Sequence, residues 1–93
     1  MKTLVEEYIE DGWNRRLFHQ EQTIYAVTDL VEAVMKKQGI SRSELARKLG
    51  KTKGWVTQFL DGEKNKTIRT VADVLSVLGH KLNVAAINVD EEL

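Results

Sequence analysis

Ninety-three residues suit one small domain with a modest core, and 14 basic against 14 acidic residues leave no net charge. Hydrophobic residues make up 42% and charged residues 30%, an ordinary globular balance with no apolar run long enough to span a membrane. Cysteine is absent, which excludes disulfides, thiolate metal sites and thiol nucleophiles, and the acidic residues 1–11 lack the apolar core of a signal peptide, so a cytoplasmic protein is expected.

Proline is also absent, so glycine punctuates the chain. Residues 3–10 carry Leu4, Val5, Tyr8 and Ile9 at helical spacing and predict a short helix, broken at Asp11-Gly12. Trp13, Leu17 and Phe18 then lead from this extension, residues 1–20, into the domain proper, residues 21–80. A helix is expected over 21–38, with Ile24, Val27, Leu30, Val31, Val34 and Met35 on one apolar face. Ser41 can cap the next helix, and Glu44 completes a capping box. Leu45, Ala46 and Leu49 form its inner stripe, and the small Ala46 permits close approach. Thr52 caps a third helix with Val56, Phe59 and Leu60 inward. A loop covers 63–66. Thr67 caps a fourth helix over 68–78, with Ile68, Val71, Ala72, Leu75 and Leu78 inward. Gly39, Gly50, Gly62 and Gly79 each follow a helical pattern, as C-terminal caps do. His80 is placed to bond the last carbonyls of that fourth helix. In residues 81–93, Leu82, Val84 and Ala86 alternate as in a half-buried strand, Ile87 and Val89 follow after a phase slip, and an acidic tail ends the chain. The expected fold is mainly α, with four to five helices and a C-terminal β-strand extension. A lone strand needs a partner, so Leu82, Val84, Ile87 and Val89 are expected to form a dimer contact.

Charge is unevenly spread. Residues 36–69 hold ten basic and three acidic residues, a net of +7, while residues 1–35 carry −4 and residues 70–93 carry −3. The positive charge therefore gathers on the second and third helices and the loop after them, an arrangement that phosphate binding requires. Two short helices joined by a tight turn form the unit that presents a helix to the DNA major groove.

At residues 41–62 the chain resembles the Cro- and repressor-like, or xenobiotic-response-element (XRE), helix-turn-helix family. Glu44, Leu45, Ala46, Leu49, Gly50, Thr52, Val56, Thr57 and Gly62 fit the family pattern. Arg42 stands where glutamine is common, Lys51 where a small apolar residue is common, and Leu60 where an acidic residue is common. The likeness extends over roughly residues 22–80 and implies a lambda-repressor-like domain. It implies base contacts from Thr52, Lys53, Gly54, Thr57 and Gln58, and phosphate contacts from Arg42, Lys64, Asn65, Lys66 and Arg69. Lysine suits guanine acceptors and glutamine pairs with adenine. Trp55 is expected at the core edge and Trp13 in packing.

His19 and His80 lie far apart in the sequence, and no metal site, catalytic triad or cofactor loop is expected. The expected function is a non-enzymatic, sequence-specific repressor that binds an inverted repeat in double-stranded DNA as a homodimer. Two other readings fit the same residues: an antitoxin similar to the HigA type, which also binds a toxin protein, and an interaction module that has lost DNA binding.

Overall fold

The computed structural model describes residues 3–89, with the side chains of Tyr8, Ile9 and Glu10 outside that description. Its helices are α1 (Leu4–Gln38), α2 (Arg42–Leu49), α3 (Lys53–Phe59) and α4 (Ile68–Val77). Each begins at a hydroxyl residue whose side chain accepts a hydrogen bond from the amide three residues on: Thr3, Ser41, Thr52 and Thr67. Such a cap contributes about 1 kcal/mol to a helix.

The largest departure from expectation is α1. Asp11-Gly12 does not break it, and one helix of 35 residues runs through both segments. Glycine inside a helix costs only about 0.5–1 kcal/mol relative to alanine, too little to end so long a run. Thr3 and Glu6 form a complete capping box at its start. At about 1.5 Å per residue such a helix spans about 52 Å, which accounts for the 55 Å length of the molecule.

The core gathers where the four helices meet. Val31 and Met35 of α1, Leu45 and Ala46 of α2, Val56 and Phe59 of α3, Leu60, and Val71, Val74, Leu75 and Leu78 around α4 are all buried. Leu45, Leu75, Val31, Val56 and Val74 lose essentially all contact with water. Each such side chain contributes roughly 1.5–3 kcal/mol through burial. Thr28, the one buried polar residue among those described, donates its hydroxyl proton to the Ile24 carbonyl at 3.1 Å. Gln38 Nε2 donates to the Leu78 carbonyl at 2.7 Å and pins the end of α1 to the end of α4.

Three expected core residues are exposed. Leu30 is exposed, and Ile68, in the first turn of α4, is 75% exposed. Ala72 is also exposed; Val74 takes its place, completing the i, i+3, i+4, i+7 stripe of Val71, Val74, Leu75 and Leu78.

Gly39, Gly50 and Gly79 adopt the left-handed conformation (φ 67°, 68° and 76°) and terminate helices as expected. Gly62 does not. Leu60 ends α3 with ordinary dihedrals, and Gly62 answers a different demand: a β-carbon there would lie 2.6 Å from the Tyr25 ring of α1.

The C-terminal strand is also absent. No strand occurs among the described residues, and residues 80–88 run as irregular chain after α4. Leu82 packs against the core of its own domain, while Val84, Ile87 and Val89 are exposed. Alternation of apolar residues makes a strand only when a second strand supplies the ladder, and the described chain offers none. The acidic tail beyond Val89 lies outside the described residues.

Candidate nucleic-acid interface

α2 and α3 pack against each other more extensively than any other pair of helices. Ser41 Oγ accepts the Glu44 amide at 3.1 Å and meets Glu44 Oε1 at 3.3 Å, so the expected box closes side chain to side chain instead of through the Ser41 amide. Gly50 then turns the chain: its amide bonds the Arg47 carbonyl at 3.2 Å, and the Lys51 amide bonds the Ala46 carbonyl at 2.9 Å. Thr52 Oγ1 accepts the Trp55 amide at 3.0 Å and starts α3. Val56 and Phe59 anchor α3 inward, leaving Lys53, Gly54, Thr57 and Gln58 on its exposed side.

Trp55 sits half-buried at the core edge, its ring stacked on Phe59 at 5.4 Å and 6°. Lys51, at a position where the family favours a small apolar residue, holds its ammonium 5.7 Å over the Trp55 ring. Such contacts contribute about 0.5–1 kcal/mol at exposed sites. Gly54 is not demanded by the fold, since a β-carbon there would meet nothing closer than Thr52 Oγ1 at 3.8 Å.

Arg42, at the first position of α2, donates from Nη1 to Thr57 Oγ1 across a long 3.4 Å. One residue expected at phosphate thus touches one expected at bases. The structure also brings Gln58, Lys64, Asn65 and Lys66 around one open groove, with Trp55 and Phe59 as its wall and Thr67 and Thr70 closing it. Lys53, Gly54 and Arg69 are exposed outside that groove.

Thr70 escaped the sequence reading, and Thr67 was read only as a cap. Their hydroxyls lie 2.8 Å apart at the start of α4. The signal, two hydroxyl residues three apart at a helix start, is ordinary capping chemistry and says nothing of a groove.

The loop between α3 and α4 is ordered by its own bonds. Asp61 Oδ1 accepts the Glu63 amide at 3.0 Å, and the Asp61 carbonyl accepts the Lys64 amide at 3.2 Å. Lys66 Nζ donates to the carbonyls of Asp61 at 2.9 Å and Lys64 at 3.0 Å and lies 5.6 Å over the Phe59 ring. Burial holds this ammonium below the usual lysine range, with the Asp61 charge opposing the shift.

At the other end of the domain the His80 amide bonds the Leu75 carbonyl at 2.8 Å and its Nδ1 meets the Leu78 carbonyl at 2.9 Å, so this histidine closes α4. No acidic or histidine cluster suited to a metal occurs among the described residues. No described helix is long and apolar enough to cross a membrane.

No curated protein and no solved structure matches the chain. The helix-turn-helix family model matches residues 31–83, more than half of the chain, and that span covers the C-terminal end of α1, both helices of the motif, the ordered loop and α4. The chain therefore belongs to the XRE-type helix-turn-helix family of DNA-binding transcription regulators.

Proposed function

We propose that the protein is a sequence-specific transcriptional repressor that binds an inverted-repeat operator as a homodimer. α3 enters the major groove and reads bases through Thr52, Lys53, Gly54, Thr57 and Gln58. Arg42, Lys64, Asn65 and Arg69 contact the phosphates on either side.

The observation that carries this reading is the division of α3 into two faces. Val56 and Phe59 are consumed by the core, while the polar side stands exposed beside a groove bordered by Gln58, Lys64 and Asn65. A net of +7 over residues 36–69 surrounds it. A single domain of this size covers few base pairs, whereas a two-fold dimer doubles the contact and matches the symmetry of an inverted repeat. Exposed apolar side chains outside the motif supply surface for such a dimer: Val84, Ile87 and Val89 after α4, and Leu4, Val5, Trp13 and Phe18 on the first half of α1.

Selection of bound sequences from random DNA, followed by titration of the selected duplex at several salt concentrations, tests the reading. An inverted-repeat consensus bound as a dimer is expected. Equal affinity for all duplexes would remove the sequence specificity, and no binding at all would leave the protein an interaction module on a helix-turn-helix frame.

The same exposed apolar surface supports a second reading, an antitoxin that regulates its own operon. The first half of α1 lies outside the family match and exposes Leu4, Val5, Trp13 and Phe18. A small toxin reading frame beside this gene, and co-purification of its product, separate the two.

A further inference from the structure

The exposed lysines on the motif and its loop look alike in sequence, but Lys66 differs from them in structure. An ammonium has three protons to donate. Two of those on Lys66 go to the Asp61 and Lys64 carbonyls, and its charge lies over the Phe59 ring. Its side chain is half-buried, whereas Lys64 and Asn65 on either side of the turn are exposed.

The place where the charge sits has its own logic. The last carbonyls of a helix carry partial negative charge and favour a cation nearby. α1 has Lys36 and Lys37 in its last turn, and α2 has Arg47 and Lys48. The last turns of α3 and α4 have no basic residue. Lys66 reaches back from the loop to the Asp61 carbonyl, two residues past the end of α3, and brings its charge over the ring of Phe59, the last residue of that helix.

The geometry points to Lys66 as the positioning residue of the DNA-binding loop: it ties residues 61–66 to the end of the reading helix, so that Lys64 and Asn65 stand beside Gln58, and it contacts no phosphate itself. This rests on the DNA-binding reading above. It also separates two roles within that loop, the charge that touches the nucleic acid and the charge that shapes the chain.

The two roles leave different signatures. A phosphate contact contributes about one unit to the slope of log affinity against log salt. A positioning residue changes how well several other groups fit and leaves the slope almost whole. Lys66→Met keeps the apolar stem over Phe59 and removes the ammonium. Lys66→Arg keeps the charge, and Lys64→Ala serves as the phosphate-contact comparison.

The expected result for Lys66→Met is roughly tenfold weaker operator binding with the salt slope unchanged within about half a unit. The Lys64 amide, bonded to the Asp61 carbonyl, should exchange with solvent roughly tenfold faster in the free protein. Lys66→Arg should recover part of both losses, and Lys64→Ala should lower the slope by about one unit. A slope lowered by about one unit in Lys66→Met, with Lys64 exchange unchanged, would make Lys66 a phosphate ligand and overturn the inference. Unchanged affinity and unchanged exchange would overturn it equally. Amide exchange is read without DNA, so if the wild-type protein binds no duplex the proposed function fails while the Lys66 inference is still decided.

Discussion

The ring of Tyr25 on α1 occupies the space in which a side chain at Gly62 would begin, with Cδ1 and Cε1 2.6 Å from the position of a β-carbon there. The contact joins the long helix to the turn after α3, across a stretch of 37 residues. Gly62→Ala should push the Tyr25 ring aside. Because Tyr25 is partly exposed, the ring can swing outward, and the expected loss is about 1 kcal/mol, at the low end of overpacking costs. Denaturant unfolding measures it. In a Tyr25→Ala background the same substitution should cost almost nothing; an equal cost in both backgrounds would place the strain in the backbone of the turn instead.

That glycine shows where sequence reading stops. Gly50 and Gly62 both follow helical patterns that end in a turn, but only Gly50 has a left-handed conformation, and nothing local distinguishes them. The caps were legible because they are local: Ser41, Thr52 and Thr67 each answer to an amide three residues away. The inner face of α3 was legible for the same reason, since Val56 and Phe59 recur at helical spacing. The length of α1 was not. Thr3 and Glu6 carry a capping-box signature, but Asp11-Gly12 outweighs it when propensity is read residue by residue. Residues 81–89 alternate like a strand, and alternation cannot show that a second strand is missing. The engagement of Lys66 was hidden too, because its partners are backbone carbonyls brought together only by the turn.

Lys64 and Arg69 are exposed beside and beyond the groove. Changing either to alanine should weaken binding to all duplexes alike and lower the salt slope by about one unit, with fold stability within about 0.5 kcal/mol of wild type. Affinity titrations between low and moderate salt, on operator and random DNA, supply the slope. A mutant with altered sequence preference and an intact slope would move that residue from phosphate to base contact.

Gly54 separates the needs of the fold from those of the ligand. A methyl group there meets only Thr52 Oγ1 at 3.8 Å, so Gly54→Ala fits the free protein and should stabilise it by up to about 0.5–1 kcal/mol. On the proposed docking of α3 in the major groove, the same methyl group stands between its first turn and the DNA. Operator affinity should therefore fall while the melting temperature rises. If both rise together, the α3 backbone at Gly54 does not approach the DNA closely.

Gln58 and Thr57 lie side by side on α3 but are held differently. Thr57 accepts a hydrogen bond from Arg42, which ties it to α2. Gln58 lines the open groove, in reach of the loop residues that flank it. A glutamine amide free to present both its donor and its acceptor can pair bidentately with adenine, and losing such a pair costs roughly 1–3 kcal/mol at the base pair concerned. Gln58→Ala should relax preference at one or two positions of each half-site and leave the salt slope as it was, because no charge is removed. Thr57→Ala should act more broadly, since it also frees the Arg42 guanidinium and so alters the phosphate contact proposed for it. Competition binding against every single-base variant of the operator resolves the two patterns. A profile unchanged at every position would remove Gln58 from the readout and shift the reading of bases to Lys53 and the first turn of α3.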